Sequence, residues 1–155
     1  MFMKIYNTLS HKEEVFIPWE EGKVSFYTCG PTVYHYAHIG NMRNYIGHDI
    51  LDKTLRFIGF DVTRCMNITD VGHLTSDSDS GDDKMVASAK KEHKTVLDIA
   101  SFYTDAFFKD FDALNCKRPE IVSNATDNID EYIKIITKLL EDGYAYKAGG
   151  NVYFD

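Results

Sequence analysis

From Val24 to Cys29 the chain reads Val-Ser-Phe-Tyr-Thr-Cys, the β-branched and aromatic content of a strand, and Gly30-Pro31 breaks it. The period then changes. Ile46, Ile50, Leu51, Leu55 and Ile58 recur at three- and four-residue steps and Gly59 supplies a stop, which predicts an amphipathic helix from Asn41 to Ile58 with Asn41 as its cap. Asp49, Asp52 and Arg56 read as its solvent side. Val62 to Ile68 reads as a buried strand. Strand, helix and strand predict a βαβ unit with parallel pairing and a right-handed crossover. Ligands in such sheets bind beyond the carboxyl ends of the strands, so Cys29 and Gly30 are expected close to Asn67, Thr69 and Asp70.

Further on, Thr95 is placed to cap a long helix with Val96, Ile99, Tyr103, Phe107, Phe111 and Leu114 along one stripe; these aromatics read as core. Ile129, Ile133, Ile136 and Leu140 predict another amphipathic helix over 126–142, stopped by Gly143. Tyr144-Ala145-Tyr146 and Asn151 to Phe154 read as strands around Gly149-Gly150. Between the helices, residues 75–83 form a polar, acidic stretch that reads as a surface loop. Its Asp77-x-Asp79 spacing is calcium-like, but Gly81 falls one position early and Ser88 stands where a bidentate Glu is required, so calcium is rejected.

Composition narrows the function classes. The 155 residues, 44% hydrophobic and 14% aromatic, suffice for one domain with a real core and not for a second full domain. A formal charge of -7 argues against strong RNA binding by this surface alone, because such affinity rests on Lys and Arg. No stretch is long and apolar enough to span a membrane, and a cytoplasmic location is expected. Cys29, Cys65 and Cys116 are odd in number and lack a Cys-x-x-Cys pair, so reduced thiols are expected, with Cys65 and Cys116 as small buried hydrophobes.

The chemistry concentrates in Thr28 to Asn41, which joins a potential metal thiolate, Cys29, to a potential phosphate-binding helix start. Unpaired backbone N–H groups and the positive end of the helix dipole would face a polyphosphate, with His38 and Asn41 as side-chain donors. Of the other histidines, His35 and His73 are placed to approach this site, but His11, His35, His48, His73 and His93 each read as solvated or structurally bonded and not as metal ligands, and Lys90-Lys91 as ordinary charged surface.

His38-Ile39-Gly40-Asn41, following Cys29-Gly30-Pro31-Thr32-Val33-Tyr34, closely resembles the signature of the cysteinyl-tRNA synthetase family, which are class I aminoacyl-tRNA synthetases. Asn7-Thr8-Leu9, Asn67-Ile68-Thr69-Asp70 and Phe111-Asp112-Ala113-Leu114-Asn115 extend the resemblance over nearly the whole chain. Asn41 departs from the usual His-Ile-Gly-His. The resemblance implies an α/β, Rossmann-like parallel-sheet nucleotide-binding fold, incomplete, with an appended helical region. On it, residues 1–155 are the truncated N-terminal part of a catalytic domain, inactive alone. The mobile Lys-Met-Ser-Lys-Ser loop, the anticodon-binding region and the other zinc ligands would follow residue 155.

The implied reaction is attack of the cysteine carboxylate on the α-phosphate of ATP, then transfer of the adenylate to tRNA. Gly30, Pro31, Thr32, His38, Gly40 and Asn41 are the implied ATP-binding residues. His38 and Asn41 act catalytically, and Gly40 lets ATP approach the backbone. Cys29 and Thr69 are implied for cysteine, with Tyr27, Gly30 and Thr32 as pocket neighbours. Cys29 is implied as a ligand to one zinc ion per full-length subunit, whose open fourth position would bind the substrate's soft thiolate, at about 2.3 Å, far better than a serine hydroxyl. Mg2+ is expected with ATP, and tRNA contacts mainly through regions outside this segment. A cysteine ligase delivering the adenylate to an amino sugar, or a noncatalytic nucleotide-binding paralogue, are the alternatives.

Overall fold

A computed structural model describes residues 3–72 and 95–155. The acidic stretch 75–83, His73, His93 and Lys90-Lys91 lie outside the described residues. The chain opens with a hairpin, β1 (Lys4–Asn7) against β2 (Lys12–Val15). The central sheet follows: β3 (Lys23–Thr28), helix α1 (Ile39–Phe57), β4 (Asp61–Ile68), helix α2 (Val96–Ala113) and β5 (Ile121–Asn124). Both pairings are parallel, in the order β3-β4-β5. This is the expected α/β architecture with the βαβ unit in place. A 3-10 turn (Thr126–Asn128) leads into α3 (Ile129–Glu141), and β6 (Ala145–Ala148) pairs antiparallel with β7 (Asn151–Phe154) across Gly149-Gly150.

Alternation along β4 decides which face of the sheet is covered. Val62, Arg64, Met66 and Ile68 are buried, while Asp61 and Thr63 are exposed and Cys65 and Asn67 half-buried. Against the buried face pack Met42 and Tyr45 of α1 and Ile99, Phe107, Phe108 and Phe111 of α2. Phe107, Phe108 and Phe111 are therefore core, the Phe107 and Phe111 rings 5.4 Å apart, with Tyr103 half-buried against them and Phe102 exposed. Fully burying each such side chain contributes about 1.5–3 kcal/mol. Thr95 caps α2 in a reciprocal capping box with Asp98, as its position predicts.

Three expectations change. First, Asp49 and Asp52 are not on the solvent side of α1: they are 5% and 0% exposed, whereas Ile50, expected inside, is 59% exposed. Carboxylates are tolerated there because partners distant in sequence meet them. Asp52 pairs with Arg56 at 2.5 Å and, at 3.5 Å, with the fully buried Arg64. Asp49 accepts from the Lys117 N–H at 2.7 Å. Second, β5 is a strand the sequence pattern does not announce. Third, Ile133 and Ile136 of α3 are 58% and 40% exposed, so the apolar stripe predicted there is not packed on the core among the described residues.

Glu120 closes the buried charge group from just before β5, accepting from Arg56 at 2.8 Å and from the Arg64 N–H at 2.9 Å, and pairing with Lys117. Burial works to raise its pKa, but the bonds from Lys117 and from the Arg64 backbone outweigh it and hold the carboxyl at about 2, against 4.5 for the free group. A depressed folded-state pKa stabilises fully above the unfolded value, and that stability is lost as pH falls through the folded one. Acid titration followed by circular dichroism is thus expected to show stability falling between about pH 4.5 and 2. Glu120→Gln should flatten that part of the curve; an unchanged profile would remove Glu120 as its source.

Candidate functional site

The segment after β3 is held to the end of β4 by its own backbone. Thr69 N–H donates to the Pro31 carbonyl at 3.0 Å, and Val33 N–H donates to the Thr69 carbonyl at 3.1 Å, a parallel bridge between Thr32 and Thr69. A glycine is needed where the chains approach: a Cβ at Gly30 would stand 1.7 Å from the Asn67 carbonyl oxygen. The Asn67 side chain completes the junction. Its Oδ1 accepts from the Gly30 N–H at 2.8 Å and from the Tyr27 hydroxyl at 2.7 Å, and its Nδ2 donates to Thr69 Oγ1 at 3.1 Å.

At the start of α1 the capping residue is His38, not Asn41. His38 Nδ1 accepts from the Gly40 N–H at 3.0 Å, and Asn41, in the first turn, reaches back so that its Oδ1 accepts from the His38 N–H at 3.2 Å. Asn41 fails as the cap because it already has helical geometry three positions in. The expectation of open backbone donors narrows, since the Gly40 N–H is taken by His38 Nδ1 and the Asn41 and Met42 N–H groups donate to the His38 carbonyl at 3.0 and 3.1 Å. Side chains add further donors. An Nδ1 that accepts is unprotonated, so the neutral ring carries its proton on Nε2. Asn41 uses its oxygen and keeps its NH2 group to donate. Gly40 has a local reason as well: a Cβ there would meet His38 Cε1 at 2.8 Å.

Between these two junctions lies a cleft of about 160 Å³ lined by Gly30, Pro31, Thr32, Asn41, His35 and Tyr45, among others. Four of the residues predicted for ATP thus meet in one cavity, while His38 caps the helix beside it. His35 lines the cleft, with Nδ1 2.6 Å from the Tyr36 carbonyl. Burial, then Cys29, pushes the Tyr45 phenol up to about 12, so its hydroxyl remains protonated.

Cys29 is exposed, just past the end of β3; Cys65 is half-buried and Cys116 buried. Burial pushes the Cys116 thiol up, as befits a core residue. Tyr27 lies close to Cys29: burial chiefly, then Cys29, Cys65 and Tyr132, holds its phenol above the usual range. Among the described residues no group of three or more His, Cys, Asp or Glu is arranged to hold a metal. Asp70, next to Thr69, accepts from the Thr126 N–H at 3.0 Å and so starts the turn before α3. Asn67 is expected near Gly30 from the shared strand ends, but its three side-chain bonds, to Gly30, Tyr27 and Thr69, have no sequence signal.

The family model for the tRNA synthetases class I (C) catalytic domain matches residues 15–155. A cysteine–tRNA ligase of Treponema denticola is 59% identical over 155 residues, covering 100% of this chain and 32% of that protein. One of Treponema pallidum (strain Nichols) is 53% identical, covering 100% and 30%, and one of Chlorobium chlorochromatii is 47% identical over 154 residues, covering 99% and 32%. The chain spans about a third of the length of the curated relatives it matches.

Proposed function

Because the chain belongs to the class I tRNA synthetase (C) catalytic-domain family, we propose that it is the N-terminal part of the catalytic domain of an enzyme that activates cysteine with ATP and charges tRNA(Cys). The observation that carries the nucleotide side is the junction where Gly30 to Thr32 and the His38-capped helix start share one cleft at the carboxyl end of a parallel sheet. The names of the matched relatives favour tRNA over an amino sugar as acceptor.

In this reading ATP, carrying Mg2+, lies with its phosphates toward the start of α1. The cysteine carboxylate oxygen forms a bond to the α-phosphorus, the bond to the β-phosphate oxygen breaks, and pyrophosphate leaves. The ribose 2′-hydroxyl of tRNA then attacks the adenylate carbonyl and AMP departs. Neither step needs a protein nucleophile; positioning and charge stabilisation are the protein's contribution. His38 Nε2–H and the Asn41 NH2 group supply donors at the phosphates, aided by the positive end of the helix dipole. Asn41 is neutral where the usual histidine can titrate.

Cys29 is proposed as one zinc thiolate and Thr69 as a wall of the cysteine pocket. A zinc site needs at least three protein ligands, so Cys29 would be one donor to a set completed from outside the described residues. A cytoplasmic location belongs to the same proposal. ATP–pyrophosphate exchange by the full-length protein tests it: exchange is expected to require cysteine and to be supported poorly by serine. Cys29→Ser should lose zinc by elemental analysis and lose that selectivity. Exchange without cysteine dependence would sink the activity, and retained zinc with full selectivity would remove Cys29 from the metal.

A further inference from the structure

We propose that Asn67 is a positioning residue that fixes the Thr69 hydroxyl as a hydrogen-bond donor toward an acceptor atom of the bound amino acid, its carboxylate or thiolate. The inference rests on the reading of Thr69 as a cysteine-pocket residue. It follows from groups whose polarity is not negotiable. The Gly30 backbone N–H only donates, so the Asn67 atom 2.8 Å away is the amide oxygen. The other end of the amide is then the NH2 group, which only donates, so Thr69 Oγ1, 3.1 Å away, accepts. A threonine hydroxyl that accepts on its oxygen keeps its hydrogen to give elsewhere.

The arrangement lies on the correct side of the sheet for such a task. In β4 the even-numbered residues from Val62 to Ile68 are buried under the helices, whereas Cys65 and Asn67 face the other way. Tyr27 pairs in register with Cys65, which brings its hydroxyl to the same Asn67 oxygen at 2.7 Å. Two donors, from different points of β3 and its loop, therefore lock one amide in a single orientation. Tyr27 gives its hydroxyl hydrogen to Asn67 Oδ1 and so does not compete for the Thr69 oxygen.

The test uses the full-length protein and compares the Michaelis constants for cysteine and ATP in pyrophosphate exchange. Asn67→Asp is isosteric and still accepts from Gly30 and Tyr27, but it makes the Thr69 hydroxyl turn inward to donate. It is expected to raise the cysteine KM about tenfold and leave the ATP KM unchanged. Asn67→Ser, which removes the amide and its bond to Thr69 without adding charge, should raise the cysteine KM likewise and serves where aspartate prevents folding. Thr69→Val should raise the cysteine KM similarly, and the double variant Asn67→Asp, Thr69→Val should be no worse than either alone. If Thr69→Val raises the cysteine KM and neither Asn67 variant does, the positioning role is overturned while the pocket reading stands. An unaltered cysteine KM in Thr69→Val overturns both, and additive losses in the double variant overturn the positioning role.

Discussion

Replacing Gly30 with alanine is expected to disrupt the junction on which the whole site hangs. The added Cβ would lie 1.7 Å from the Asn67 carbonyl oxygen, 2.9 Å from its carbon and 2.7 Å from Met66 Cγ. The first two are backbone atoms of a central strand, paired with β3 on one side and β5 on the other, and they have nowhere to go. The Gly30 loop must withdraw instead, giving up the bond to Asn67 and straining the pairing of Pro31 and Val33 with Thr69. Overpacking of this kind costs about 1–3 kcal/mol, and contact with fixed backbone puts Gly30→Ala at about 3 kcal/mol or more. Urea unfolding of the full-length protein should show the lowered midpoint, and pyrophosphate exchange should fall with it. Gly47→Ala is the control: it lies within α1 with nothing within 4 Å of the added carbon, and it should stabilise by about 0.5–1 kcal/mol. Equal midpoints for Gly30→Ala and the parent protein would show that the loop is not held as described.

What the sequence reveals and conceals here follows from the range of the interactions. The strand before Gly30, the helix after His38, the strand ending at Ile68 and the Thr95 cap are all encoded within a few residues, by period, by breakers and by local hydrogen bonding. Asp49 and Asp52 misled because a carboxylate four residues from Lys53 or Arg56 looks like ordinary surface pairing. Their burial depends on Arg64 and on a loop near Lys117 and Glu120, 68 residues from Asp49 in the case of the Lys117 bond. β5 hid for a related reason: four residues, two of them exposed apolar side chains, have too short a pattern to declare a strand, and only the waiting edge of β4 makes one. The α3 stripe was visible as an apolar face, yet a period cannot say what the face packs against. In the site, residue types could be placed at the sheet edge, but the direction of each hydrogen bond at Asn67 and His38 emerges only from three-dimensional neighbours.

That direction makes the second large effect separable into two parts. His38→Ala removes the cap of α1 and also the Nε2–H donor that faces outward when Nδ1 accepts from Gly40. Loss of an N-cap costs about 1 kcal/mol of stability. Loss of a preorganised donor to developing transition-state charge costs about 10²–10³ in rate. His38→Ser separates them, because the serine oxygen can accept from the first-turn N–H groups but cannot reach as far as an imidazole Nε2. Both variants are expected to slow cysteine-dependent pyrophosphate exchange by about 10²–10³ with little change in the cysteine KM, whereas only His38→Ala should lose the stability of the cap. Thermal unfolding alongside exchange kinetics decides the matter: if His38→Ser recovers the rate as well as the stability, the histidine is a helix cap and the phosphate contacts must be sought in Asn41 and the Gly30 to Thr32 loop.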